Sequence, residues 1–116
     1  MRKYIFVYLG GKFPESPAES QQHFQKYQEW LQSLGDAVIN PAIPFKDTHT
    51  IHSDGRAEPG TMSNISGLSI IQFNSMQEAL KTAQSCPFLE INGTLEVSEM
   101  VEVASDLDSA NSRTIN

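Results

Sequence analysis

The sequence has one cysteine, Cys86, in 116 residues, so no disulfide can close within the chain. It lacks any run approaching the ~20 apolar residues that a membrane-spanning helix needs. Positive charge is scarce: eight Lys and Arg stand against fourteen Asp and Glu, a formal net charge of −6. Without a basic stripe to neutralise phosphates, nucleic acid and anionic membranes are not expected partners. Phosphate loops, dinucleotide fingerprints and serine triads have no counterpart either, and no cofactor is expected. What remains is enough chain for one domain, which buries about 60 to 70 per cent of its unfolded surface without staples.

The apolar residues come in short runs with clear punctuation. Arg2 and Lys3 precede Tyr4 to Leu9, a stretch too short and too aromatic for the core of a signal peptide and followed by no small-residue cleavage site. It reads as a core strand, and the expected location is the cytoplasm. Ser16-Pro17-Ala18-Glu19 is a helix start: a Ser cap, Pro at the first helical position and Glu at the third. Phe24, Tyr27, Leu31 and Leu34 then follow as an apolar stripe flanked by Trp30, with Gly35 as the stop, so a helix is predicted over 17–34.

Residues 36–43 read as a second strand that Pro41 ends or confines to a sheet edge. Residues 48–53 read as a short extra strand before the Asp54-Gly55 turn, and 56–64 as a loop. The run ISGLSIIQF is a strand without clean polar alternation. Ser75 and Glu78 form a capping box for a second helix that ends before Pro87, and Asn92-Gly93 turns the chain into GTLEVSEMVEV, a last strand whose apolar face is interrupted by Glu99. Residues 104–116 have no periodicity and are expected to be a disordered tail on a domain spanning 1–103.

This order is α+β: a ferredoxin-like βαββαβ sheet with an extra short strand or hairpin and both helices on one face. Strands that are apolar on both sides then need a second cover, and a partner sheet supplies it, so a homodimer is expected.

Taken in order, KYIFVYLGG, WLQSLGDAV, NPAIPF, the SDG turn, GLSIIQFNSMQEALKTAQSCP and GTLEVSEMVEV make the chain resemble the YCII-related (DGPF-type) family of dimeric α+β barrel proteins, over about residues 3–103. The resemblance implies a homodimer packed sheet to sheet, with a cleft between each sheet and its helices. It also implies a site: some members carry a His on the first helix facing an Asp at the end of the second, an acid–base pair used by a related lyase that removes chloride from a hydroxyquinone. His23 stands at about the matching helix position, and Cys86 stands where the Asp would be.

The candidate catalytic residues are therefore His23 and Cys86, and the candidate ligand contacts are Tyr8, Tyr27, Trp30 and Asn40. With no carboxylate at Cys86 to fix its tautomer, His23 is expected to be mostly neutral at pH 7. His49 and His52, with Asp47 and Asp54 nearby, are three apart on a strand and point to opposite faces, which is poor spacing for one metal ion. The expected function is the binding of a small organic molecule in the cleft. The alternative is a lyase or isomerase in which His23 is the general acid or base.

Overall fold

The computed structural model describes residues 1–12 and 14–101; the expected tail at 104–116 lies outside them. Six strands and two helices follow in the order β1 (Arg2–Gly10), α1 (Pro17–Leu34), β2 (Val38–Pro44), β3 (His49–Ile51), β4 (Ala57–Pro59), β5 (Ile65–Phe73), α2 (Met76–Ala83) and β6 (Gly93–Glu99). Short 3-10 turns at Gly35–Ala37 and Pro87–Ile91 link α1 to β2 and α2 to β6. Four strands form one antiparallel sheet in the order β2-β5-β1-β6, and β3 and β4 pair as a separate hairpin. The fold is the ferredoxin-like α+β arrangement, the protomer fold of the α+β barrels.

Both helices start as their caps dictate. Ser16 Oγ accepts from the Glu19 amide at 3.2 Å, and Ser75 Oγ accepts from the Glu78 amide at 3.3 Å. The return bond of the second cap differs from the expected box: Glu78 Oε1 accepts from the amide of Asn74, at 2.9 Å, rather than from that of Ser75. Ser75 itself is extended, with φ −155° and ψ 161°, as a cap residue usually is.

The inward face of α1 is also rotated from the expected stripe. Trp30 is its one buried residue, with Tyr27, Leu31 and Leu34 half-buried, whereas Phe24 is 61% exposed. At 3.6 residues per turn, Phe24 stands about 90° from the direction shared by Tyr27, Trp30 and Leu34. Position 24 is therefore at the helix edge, and Trp30 moves from the flank to the centre.

The core lies between the helices and one face of the sheet. Tyr4, Phe6 and Tyr8 of β1 and Ser69, Ile71 and Phe73 of β5 point into it, and Ala79 and Ala83 of α2 close it from above. Phe6 stacks on Phe73 with ring centroids 6.0 Å apart and meets Trp30 at 6.4 Å. The alternate residues Ile5, Val7, Leu9, Leu68 and Ile70 lie on the opposite face and are half-buried. On β6 this side presents Thr94, Glu96 and Ser98, all exposed, so the apolar surface ends at that edge.

β2 is an edge strand, as Pro41 requires, and its register against β5 slips twice, between Val38 and Asn40 and between Asn40 and Ile43. The residues expected as a loop at 56–64 include β4, which zips onto β3 through the pairs His49–Pro59, Thr50–Glu58 and Ile51–Ala57. Its sequence, Ala-Glu-Pro, carries no strand propensity; cross-strand pairing decided it. The last strand stops at Glu99, which lies 3.8 Å from Arg2, and Val101 beyond it is 73% exposed.

Candidate functional site

A cavity of about 350 Å³ opens between α1, the end of β1 and the β2–β5 edge. Tyr8, His23, Phe24 and Tyr27 line it from β1 and α1; Ala42, Ile43, Pro44 and Phe45 from β2 and the residue after it; Ser66, Gly67 and Phe88 complete it. Two glycines set its shape. At Gly67 a Cβ would come 2.6 Å from the Ile43 carbonyl oxygen, so only glycine lets β2 approach β5 there. At Gly93 a Cβ would strike the Phe88 ring, which glycine allows to lie flat against the start of β6.

The polar end of the cavity is a chain of hydroxyls. Tyr27 Oη donates to Tyr8 Oη, and Tyr8 Oη is 2.6 Å from Ser69 Oγ. Ser69 is fully buried and Tyr8 nearly so, and Ser66 Oγ donates to the Tyr8 carbonyl at 3.1 Å. Burial pushes the Tyr8 phenol up to about 12, outweighing the hydrogen bonds from Ser69 and Tyr27 that act the other way. Burial raises Tyr27 as well, and the neighbouring Tyr8 adds to it. Both phenols therefore stay protonated at neutral pH.

His23 is half-buried, its ring 6.3 Å from that of Tyr27 in an edge-on arrangement. Partial burial lowers its pKa below the ordinary histidine value. The charge of Glu90 acts against this, and that of Lys26 adds to the lowering. Glu90 sits on the 3-10 turn after α2 and pairs with Lys26 at 3.1 Å. A carboxylate thus reaches the neighbourhood of His23 from position 90, although position 86 supplies none.

The six candidate residues do not converge on one surface. His23, Tyr8 and Tyr27 line the cavity; Cys86, Trp30 and Asn40 do not. Cys86 is 2% exposed, and burial pushes its thiol from 9.0 up to about 11, so it is a neutral thiol behind the Tyr27 phenol. Trp30 is a core residue whose Nε1 donates to Ser85 Oγ at 3.1 Å, tying α1 to the end of α2. Asn40, half-buried, stands opposite Ile70 between the two register slips of β2. In the hairpin, His52 Nε2 lies 2.6 Å from Glu58 Oε2 and His49 Nδ1 3.8 Å from Asp47 Oδ1; among the described residues no three side chains gather into a metal site.

Sequence reasoning missed Phe45, Ser66, Gly67, Ser69, Phe88 and Glu90. One cue was present: Ser69 is a polar residue inside the run Leu68 to Phe73, at a position where burial demands a hydrogen-bond partner. The partner, Tyr8, is 61 residues away and could not be identified locally.

No helix among the described residues is long and apolar enough to cross a membrane. The sequence matches no family model, and no curated protein sequence matches it. Among solved structures, the chain is similar to the 5-chloro-2-hydroxyhydroquinone dehydrochlorinase TftG from Burkholderia phenoliruptrix AC1100, in complex with 2,5-dihydroxybenzoquinone. The likeness covers 85% of this chain and 94% of that one, at 14% identity and a TM-score of 0.54, and what it establishes is a shared fold.

Proposed function

We propose that the chain is a YCII-related protein that acts as a homodimer and holds a small, flat organic molecule in the cavity beside α1. The observation that carries this reading is the cavity itself: about 350 Å³, walled by Phe24, Phe45 and Phe88, with the Tyr8–Tyr27 hydroxyls and the His23 ring converging on it. Apolar walls supply affinity, and a few fixed polar groups supply orientation, which is the usual composition of a small-molecule site. The fold neighbour was solved with a dihydroxybenzoquinone, which supports a ring-sized occupant.

The dimer follows from Ile5, Val7, Leu9, Leu68 and Ile70, an apolar strip on the face that neither helix covers. Light scattering through a dilution series tests it; a protein that remains monomeric at micromolar concentration and above ends the sheet-to-sheet reading. For the cavity, the test is a small-ring screen by NMR, in which ligands must shift the His23 and Tyr27 ring signals. Shifts confined to other regions would refute the assignment.

A second reading, a lyase or isomerase with His23 as general base, is favoured by the charge of Glu90 acting on His23. Its signature would be a His23 ring pKa above ~6.5 that falls when Glu90 becomes Gln.

A further inference from the structure

The two edges of the sheet are built differently. β2 contains Pro41 and Pro44 and slips register twice against β5, features that blunt an edge against further pairing. β6 has neither: it pairs with β1 in unbroken register from Tyr4–Glu99 to Gly10–Gly93 and holds no proline, lysine or arginine. The Met100 amide donates to the Lys3 carbonyl at 2.8 Å, one step beyond the Tyr4–Glu99 pair. Because antiparallel ladders alternate, Thr94, Glu96 and Ser98 turn their backbone groups to β1, and Leu95 and Val97 turn theirs outward. Among the described residues β6 has no second neighbouring strand, so those outward groups form an open edge. The side chains of the same two residues, opposite Tyr8 and Phe6, stand on the helix side and form one wall of a hollow of about 340 Å³ beside α2. Leu80 and Leu89, 45% and 40% exposed, form the other.

We infer that β6 and α2 form a docking groove for an extended segment of another protein, which adds to the sheet beside β6, sets apolar side chains at alternate positions between Leu80, Leu89, Leu95 and Val97, and carries Lys or Arg at the positions between. An added strand keeps the pleat, so its residues opposite Leu95 and Val97 face the hollow and the one opposite Glu96 faces the other side. Glu96 has no ion pair among the described residues, and the chain carries a formal net charge of −6, so a cation at that position is the complementary choice. The backbone ladder supplies affinity and the apolar alternation supplies selectivity. Two other occupants fit worse. Residues 102–116 of this chain carry Glu102, Asp106 and Asp108 against Arg113 alone. Two copies joined β6 to β6 would bring Glu96 and Glu99 of each onto neighbouring strands that hold no cation. The groove shares no lining residue with the cavity beside α1, so this inference is independent of the ring-binding reading.

The test titrates the full chain at pH 7 with three labelled seven-residue peptides, read by fluorescence anisotropy: alternating lysine and valine, alternating glutamate and valine, and the lysine peptide N-methylated throughout. The lysine peptide should bind at least about tenfold more tightly than either control, since one reverses the charge and the other removes the backbone donors. Val97→Pro deletes an outward amide without touching a bond to β1 and should weaken the lysine peptide at least about tenfold. Glu96→Lys should narrow the preference for lysine over glutamate to less than about threefold. Amide shifts on binding should centre on Leu95 and Val97. Where Val97→Pro fails to fold, the N-methylated peptide carries that arm of the test. Equal binding of the lysine peptide and its N-methylated form would mean attraction by net charge alone and would overturn the inference, as would shifts centred elsewhere or no binding. A dimer that Val97→Pro converts to monomer in light scattering would give the edge to a second copy. Signals of residues 104–116 that move to random-coil shifts as the peptide binds would give it to the chain's own tail, and either result would overturn the assignment to another protein.

Discussion

Two hollows of nearly equal volume lie on the helix side of the sheet, and they differ in almost everything else. The one beside α1, about 350 Å³, has three aromatic walls and a polar end anchored on buried Ser69. The one between α2 and β6, about 340 Å³, is bounded by Leu80, Leu89, Leu95, Val97 and Ala83, and the polar residues at its margin, Gln84 and Thr94, are exposed. Volume alone does not distinguish them. A polar group orients a ligand when its own geometry is fixed, and the Tyr8 hydroxyl is fixed by a buried partner while exposed Gln84 and Thr94 can turn toward water.

The contrast can be broken or sharpened by substitution. The largest effect should come from Trp30→Ala, which empties the core under α1 and cuts the Nε1 bond to Ser85 that joins the two helices. A loss of about 3 to 5 kcal/mol in urea denaturation is expected, with both hollows disturbed together. Gly67→Ala should cost about 1 to 3 kcal/mol, because its Cβ would press on the Ile43 carbonyl from 2.6 Å, and the strain should appear on the α1 side alone in amide shift maps. His23→Ala should leave the urea midpoint nearly unchanged and weaken binding of a ring ligand by ~1 to 3 kcal/mol, read by calorimetry.

Titration separates the two hollows in a different way. Tyr8 is raised from 10.0 to about 12 and Cys86 from 9.0 to about 11 in the folded chain. The unfolded chain ionises these groups first, so their stabilising contribution is complete below about pH 9 and is lost as pH climbs towards 12. The urea midpoint should fall across that window, and Tyr8→Phe should make the fall shallower. His23 contributes at the other end: its folded pKa is lowered, so stability should decline as pH drops below the ordinary histidine value, and His23→Gln should remove that part. Among the residues lining the α2–β6 hollow none titrates in either window. The smallest effect is therefore expected there: Leu80→Ser, at a side chain 45% exposed, should change stability by less than about 1 kcal/mol and leave both ring-ligand binding and the pH profile as they were.

The chain of elements was readable in advance wherever the determinant was local. The Ser16 and Ser75 caps, the Gly35 stop, the Pro87 break and the edge position that Pro41 imposes on β2 each depend on residues within one turn or one strand. Such signals act through backbone geometry and need no knowledge of what lies across the fold. Helix and strand periods likewise fix the directions of His23, Tyr8 and Tyr27.

What the sequence could not determine required distances between segments far apart in the chain. Trp30 rather than Phe24 centres the core face of α1, since the sheet chose the angle at which the helix docks. β4 exists only by pairing with β3. Cys86, which the family resemblance puts at the site, is packed behind Tyr27, and neither it nor Asn40 lines the cavity. The Ser69–Tyr8–Tyr27 chain joins β5, β1 and α1, and Glu90 acts on His23 across 67 residues of sequence. Hydrogen bonds and charges act over a few ångströms, so only the tertiary fold could decide which of these polar groups would meet.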